Sequence, residues 1–119
     1  MIIIKKNITF FSRNEVSELF DDDEYVNDFI SEVSSSLNNA VVLNHKIITI
    51  DSYPTFEITL KESIEESSAN LRIIKNWFIF YEDKIVLFQY ISRVRKEFYI
   101  LEPLFNSITN SVIFPEQYY

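Results

Sequence analysis

The 119-residue sequence contains no glycine and no cysteine. Without glycine it lacks the glycine-rich phosphate loop, the dinucleotide fingerprint and the nucleophile elbow, because these motifs need positive φ angles or close backbone approach. Without cysteine it has no disulfide bond, no thiolate nucleophile and no cysteine-based metal site. Turns must therefore be built from Asn, Asp, Ser and the three prolines.

Basic residues are also scarce, since 18 acidic side chains outweigh 11 basic ones and give a formal net charge of −7. This charge disfavours a direct nucleic-acid partner, because phosphate binding needs a basic face, and it also disfavours anionic membrane surfaces. No apolar run approaches the roughly 20 residues of a membrane span. The N-terminal apolar run precedes its lysines, unlike a signal peptide. We therefore expect a single domain over residues 1–119, located in the cytoplasm.

Residues 71–93 carry the clearest structural pattern. Two arms rich in Val, Ile, Phe, Tyr and Trp flank the polar residues 82–84, which is typical of a β-hairpin. Both faces of the hairpin are apolar, so we expect it to lie in the middle of a sheet that is covered on both sides. A turn at 82–83 predicts these pairs: Phe80 with Ile85, Phe78 with Leu87, Ile74 with Ile91, Ile79 with Val86, and Trp77 with Phe88.

The first half of the chain predicts a strand, a helix and two further strands. Residues 2–12 indicate a strand or short hairpin, and a short helical turn follows through 15–20. Apolar residues at helical spacing over 25–37 indicate an amphipathic helix. Residues 40–50 indicate the next strand. Residues 55–60 alternate so cleanly that we expect one solvated face, as at the edge of a sheet.

A second amphipathic helix is predicted after the hairpin. Glu102-Pro103 is a favourable start, because proline suits the first helical position. The same apolar period extends back to Phe98 and Leu101, so an earlier start with Pro103 inside the helix is equally open. The predicted buried stripe consists of Leu104, Phe105, Ile108 and Val112. The fold class is therefore α+β, with a central, mostly antiparallel sheet and two amphipathic helices in an α/β/α sandwich-like arrangement.

Residues 41–114 resemble the PsbP-like family, which includes the Ran-binding Mog proteins. The resemblance lies in four segments: the strand and proline turn at 47–54, the strand at 55–60, the aromatic hairpin, and the closing helix at 102–112. Membership would imply an α-β-α sandwich and a non-enzymatic binding role, with partners that vary widely across the family.

Acidic residues concentrate between Glu15 and Glu32, and no basic residue lies between Arg13 and Lys46. One interpretation is a solvated helix face whose aspartates cap the helix start. Another is a docking surface that steers a basic partner electrostatically. A calcium or magnesium site at 21–24 is disfavoured, because the glycine and spacing of an EF-hand loop are missing. The candidate partner-binding residues are Glu18, Asp21, Asp22, Asp23, Glu24, Asp28 and Glu32.

Other candidate sites are weaker. His45, the lone histidine, lies in the polar middle of a strand and is not expected to be catalytic. Asn76 and Gln89 would face each other, either simply hydrogen-bonded or marking an opening for a small ligand near Tyr90. The aromatics of the second half fit core packing better than a stacking platform. They are Trp77, Tyr81, Phe88, Tyr90 and Tyr99. The aromatic tail at 113–119 could be docked or exposed.

We therefore expect a small acidic binding protein that is not an enzyme and has no cofactor or metal. The most specific hypothesis is an immunity or inhibitor protein that neutralises a basic toxin, such as a nuclease, by covering its active site. The alternative is a PsbP-like adaptor or assembly factor that binds a host protein complex.

Overall fold

The computed structural model describes residues 2–7, 13–63 and 71–114. Strands and helices follow one another in an order that matches the predicted one, with the short helical turn present as a helix of its own. The elements are β1 (Ile2–Asn7), α1 (Arg13–Phe20), α2 (Asp23–Ser35), β2 (Val41–Ile50), β3 (Tyr53–Ser63), β4 (Leu71–Tyr81), β5 (Lys84–Ser92) and α3 (Arg95–Asn110).

The strands form a five-stranded antiparallel sheet in the order β1-β5-β4-β3-β2. The predicted hairpin occupies β4 and β5, and β4 is the central strand. Its register is the predicted one, with Phe78 opposite Leu87 and Trp77 opposite Phe88. Because a slip of one residue would send every side chain to the other face, this agreement also assigns the two faces of the sheet.

Helices cover both faces of the sheet, which confirms the α+β fold with a sandwich-like arrangement. On one face, Val16 and Phe20 of α1 join Phe56, Ile58 and the apolar side of α2 in one core. On the other face, Phe98 and other α3 residues pack on a second core around the indole of Trp77. Each core buries one apolar side of the hairpin, as its two-sided pattern requires.

Tight turns form without glycine. Asp51 and Ser52 join β2 to β3 with φ values of 49° and 72°, and Glu82 turns the β4–β5 hairpin at 54°. Asn39 adopts 49° between α2 and β2. Asn and Asp tolerate this left-handed region better than other non-glycine residues, so the composition prediction holds for three of the four positions but not for Glu82.

The predicted edge position of residues 55–60 is wrong. The strand β3 lies between β2 and β4, and its polar residues Thr55, Glu57 and Thr59 are buried. Glu57 can be buried because its carboxylate has a hydrogen-bond partner. Trp77 Nε1 donates to Glu57 Oε2 at 3.0 Å. The edge strand on this side of the sheet is β2, where Val41, Leu43 and Ile47 are exposed. Alternation along one strand cannot reveal such a partner on its neighbour.

The last helix begins before Pro103, which therefore lies inside it. Of the predicted buried stripe, Leu104 and Ile108 are exposed, while Phe105 and Val112 pack against the core. The helix is anchored instead through Phe98, which is fully buried and stacks on Tyr90 with ring centroids 4.9 Å apart. With Phe98 facing the sheet, Leu104 and Ile108 lie on the side of α3 that faces solvent.

The chain ends are only partly described. Residues 8–12 of the predicted first strand, residues 64–70 between β3 and β4, and residues 115–119 of the tail lie outside the described residues. The strand β3 reaches Ser63, three residues past the predicted strand at 55–60. Phe114 is docked, because its ring stacks on Tyr81 at 4.3 Å and its N–H donates to Asp51 Oδ2 at 2.7 Å.

Glu62 ties the end of β3 to the loop that follows α2. Its side chain is 3% exposed, accepts the Asn38 N–H at 2.9 Å, and pairs with the Arg72 guanidinium through two nitrogens. Burial opposes the charge of this carboxylate, but the hydrogen bonds from Asn38 and Arg72, with the charge of Arg72, outweigh it. The pKa of Glu62 is therefore lowered from its ordinary value.

We expect Glu62→Gln to destabilise the protein by about 1–3 kcal/mol at pH 7, because a buried charge-assisted network loses its charge. Since the folded pKa is depressed, the stabilisation is complete above the ordinary glutamate pKa and disappears as pH falls through the folded value. Urea unfolding at a series of pH values should show the variant and wild type converging in acid. The exposed Glu97→Gln is the control; a cost for Glu62→Gln that stays constant with pH would contradict the assignment.

Candidate functional site

The predicted acidic segment lies on the surface of α1, α2 and the connection between them. All seven candidate carboxylates are exposed, and none forms an ion pair with a side chain of residues 15–63 or 71–114. The described lysines and arginines that do pair are found elsewhere, for example Lys75 with Glu57. No basic side chain of residues 15–63 and 71–114 therefore neutralises these exposed carboxylates directly.

Three of these carboxylates form what we call the acidic row. Glu24, Asp28 and Glu32 follow one another at intervals of four residues on the exposed side of α2. Like charges at this spacing cost an isolated helix about 0.2–0.5 kcal/mol per pair. The last turn of α2 contains no basic residue to offset them. The acidic row therefore slightly lowers the stability of α2.

Asp22 has a structural role within this segment. Its Oδ1 accepts the backbone N–H groups of Glu24 at 3.0 Å and Tyr25 at 3.4 Å, so it caps α2 as predicted.

In residues 2–7, 13–63 and 71–114, no three His, Asp or Glu side chains converge in a way that could hold a metal ion.

A pocket of about 460 Å³ lies between α2 and the adjoining part of the sheet. It opens beside the acidic row, because Glu32 is one of its lining residues. Phe29 of α2 and Phe78 of β4 form an aromatic wall, with ring centroids 5.1 Å apart and nearly perpendicular planes. Tyr25 lines the same pocket; burial first, and then the negative charge of Glu32, raises the pKa of its hydroxyl.

The floor of the pocket is polar. Asn76 and Gln89 lie opposite each other in the β4–β5 register, and Gln89 Nε2 donates to Asn76 Oδ1 at 2.8 Å. Asn76 is only 2% exposed, and both amides line the pocket. The predicted hydrogen-bonded pair and the predicted opening in the sheet face are therefore present together. Tyr90 was grouped with them wrongly, because it lies on the other face and stacks on Phe98.

The opposite face holds a buried charge network that the sequence patterns did not reveal. Lys75, which is 5% exposed, places Nζ 3.3 Å from Glu57 Oε1 and 3.1 Å from Glu102 Oε2. It also donates to Asn106 Oδ1 at 2.8 Å. A lysine within an apolar strand was the available signal, but its partners lie on two other elements. The network joins α3 to the sheet.

The remaining candidates have structural positions. Trp77, Tyr81, Phe88 and Tyr90 are buried, as the core-packing interpretation predicts, whereas Tyr99 is 48% exposed. His45 is exposed on β2 and stacks on the ring of Phe56 at 6.1 Å.

The outer side of α3 carries an exposed apolar row. Ile100, Leu104 and Ile108 recur every four residues and are 64%, 54% and 41% exposed. Contiguous exposed aliphatic side chains of this kind often mark protein interaction surfaces. None of the helices in the described ranges is long and apolar enough to cross a membrane.

Comparison with known proteins identifies a fold relative only. No protein-family model matches the chain, and no curated protein matches it. A solved structure of PA94, a Pseudomonas aeruginosa protein of unknown function, is similar over 95% of this chain and 83% of its own, with a TM-score of 0.65 and 10% identity. At this identity the likeness supports the architecture and carries no functional assignment.

Proposed function

We propose that this protein is a non-enzymatic cytoplasmic inhibitor that neutralises a basic toxin, with nuclease toxins as the best-fitting class. It acts by covering an active-site cleft whose natural ligand is anionic. The carboxylates of α1, α2 and their connection take the place of phosphate groups in that cleft. The proposal requires no cofactor and no metal.

The observation that supports this proposal most strongly is that the seven exposed carboxylates form no ion pair with any side chain of residues 15–63 and 71–114. A solvated face built for stability alone gains from opposite charges four residues apart, whereas Glu24, Asp28 and Glu32 repeat the same charge. Such a surface raises the encounter rate with a basic partner and disfavours acidic ones. Because these carboxylates are exposed, they can contact the walls of a partner's cleft.

Neutralising the acidic surface tests this function directly. A variant with four substitutions leaves the Asp22 cap intact and is called the neutralised α2 variant. It combines Asp21→Asn, just before α2, with Asp23→Asn, Glu24→Gln and Asp28→Asn. We expect its association rate with a toxin encoded beside its gene to fall about tenfold or more, because electrostatic steering is lost. Stopped-flow association at low and high salt measures this, and the wild-type rate should approach that of the variant as salt increases.

The matched control removes exposed carboxylates from other parts of the molecule, through Glu82→Gln and Glu97→Gln, and should retain the wild-type rate. Protection of cells that express the toxin provides a second measurement. An association that responds neither to salt nor to the α2 substitutions would refute acidic docking.

The alternative function is a PsbP-like adaptor or assembly factor that binds a host protein complex. The exposed apolar row of α3 specifically favours it, because such a row suits a stable protein contact. In that case Leu104→Glu with Ile108→Glu would abolish capture of the complex, while the neutralised α2 variant would bind normally. The inhibitor function predicts the reverse pattern.

A further inference from the structure

The pocket beside α2 has properties that the acidic surface alone does not explain. Its volume of about 460 Å³ falls within the range of ligand sites, roughly 300–1,000 Å³. Among the described residues that line it, Glu32 is acidic and none is basic. Within this described lining an anionic occupant would meet the carboxylate with no basic side chain beside it, so this part of the wall favours a cation.

The end of α2 adds to this preference. Ser36 and Leu37, at the C-terminal cap of α2, line the pocket together with Glu32. Helix C-termini carry a partial negative charge of about half an electron, which cations offset. The last turn of α2 contributes no basic side chain of its own. A cation supplied by another molecule would meet this requirement.

The walls and floor suit a cation with an apolar stem. The rings of Tyr25, Phe29 and Phe78 line the cavity, and aromatic faces attract cations in desolvated surroundings. The bond between Gln89 Nε2 and Asn76 Oδ1 uses one donor and one acceptor. In either amide orientation, one oxygen and one amino group of the pair are left for an occupant.

We propose that this pocket receives an arginine side chain of the basic partner. The guanidinium pairs with Glu32 and donates to the amide oxygen at the floor, while its stem lies against the aromatic wall. Arginine fits better than lysine because its planar group stacks on rings and is less strongly hydrated. This inference rests on the proposed function, since it names the partner group that the acidic row of α2 would deliver.

The probe is N-acetyl-L-arginine amide, compared with the lysine and citrulline analogues, in NMR titrations that follow the side-chain amide signals of Asn76 and Gln89. We expect saturable shifts with a millimolar dissociation constant for the arginine compound. Its neutral isostere, the citrulline compound, should bind at least tenfold more weakly. The variant Glu32→Gln should weaken arginine binding about tenfold, which is the loss of one charge-assisted hydrogen bond.

The matched control is Glu97→Gln, which removes an exposed carboxylate from α3 and should leave arginine binding unchanged. The double variant Asn76→Leu with Gln89→Leu removes the floor acceptor and should weaken binding several-fold; because Glu32 is exposed, the Glu32→Gln result stands even if this variant misfolds. Equal binding of arginine and citrulline, equal effects of Glu32→Gln and Glu97→Gln, or no shift at Asn76 and Gln89 would each overturn the inference.

These outcomes separate the pocket from the wider function. Saturable arginine binding supports the inference even if the wild-type protein fails to protect cells from the toxin, a result that would overturn the inhibitor function alone. Salt-dependent toxin association without any arginine effect at the pocket would overturn the inference and leave the inhibitor function standing.

Discussion

Replacing Lys75 with methionine is expected to destabilise the protein by about 3–5 kcal/mol, because it removes the buried cation from a network that holds two carboxylates. The ammonium group lies within 3.3 Å of Glu57 and 3.1 Å of Glu102. Glu102 would lose its cation, and Glu57 would keep only the largely exposed Lys46, 3.7 Å away. Urea unfolding at pH 7 measures the loss as a lower midpoint with an unchanged slope.

A second variant separates charge from packing. Adding Glu57→Gln and Glu102→Gln to Lys75→Met removes both carboxylate charges, while the new amide at 57 can still accept from the Trp77 N–H. We expect this triple variant to recover much of the lost stability. Lys84→Met, which breaks an exposed pair with Asp83, is the control and should change little. A triple variant as unstable as Lys75→Met would show that packing, and not unpaired charge, causes the loss.

Replacing Phe56 with alanine is expected to cost about 3–5 kcal/mol, the usual range for a large aromatic removed from a core. Phe56 is fully buried on β3, and its ring centroid lies 5.0 Å from that of Phe29 and 6.0 Å from that of Phe20. The cavity would therefore loosen both α1 and α2 from the sheet. Thermal unfolding should show a midpoint about 10 °C or more below wild type.

The comparison for this prediction is Leu104→Ala, which removes an aliphatic side chain that is 54% exposed on α3. It should leave the midpoint nearly unchanged. Phe56→Leu, which keeps most of the volume, should lie between the two. A Phe56→Ala midpoint close to that of Leu104→Ala would mean that α1 and α2 do not depend on this core.

Local patterns predicted the elements well where each residue's environment follows from its own neighbours. The hairpin register was correct because a two-residue turn leaves one way to pair two strands with apolar faces. The helix at α2 was predicted to within two residues at each end, from its apolar spacing and its aspartate cap. The two wrong predictions, for β3 and α3, both concern which side of the element is buried.

The candidate site was only partly predictable for a related reason. The acidic segment is continuous in the sequence, so its charge could be seen directly. The facing amides of Asn76 and Gln89 followed from the register. Their position beneath Glu32 and Phe29 did not follow, because it depends on where α2 crosses the sheet. The Lys75 network was missed because its partners come from β3 and α3.

Local patterns along the chain were enough to predict the α+β class, the central hairpin with its register, and the concentration of negative charge on the first helices. Each of these depends on periodicity or composition along a few consecutive residues. Only the packed fold shows that β3 is interior, that Leu104 and Ile108 face outward, and that a pocket opens beside the acidic row. These depend on packing between elements distant in the chain, where one buried partner decides whether a polar or apolar side chain is covered.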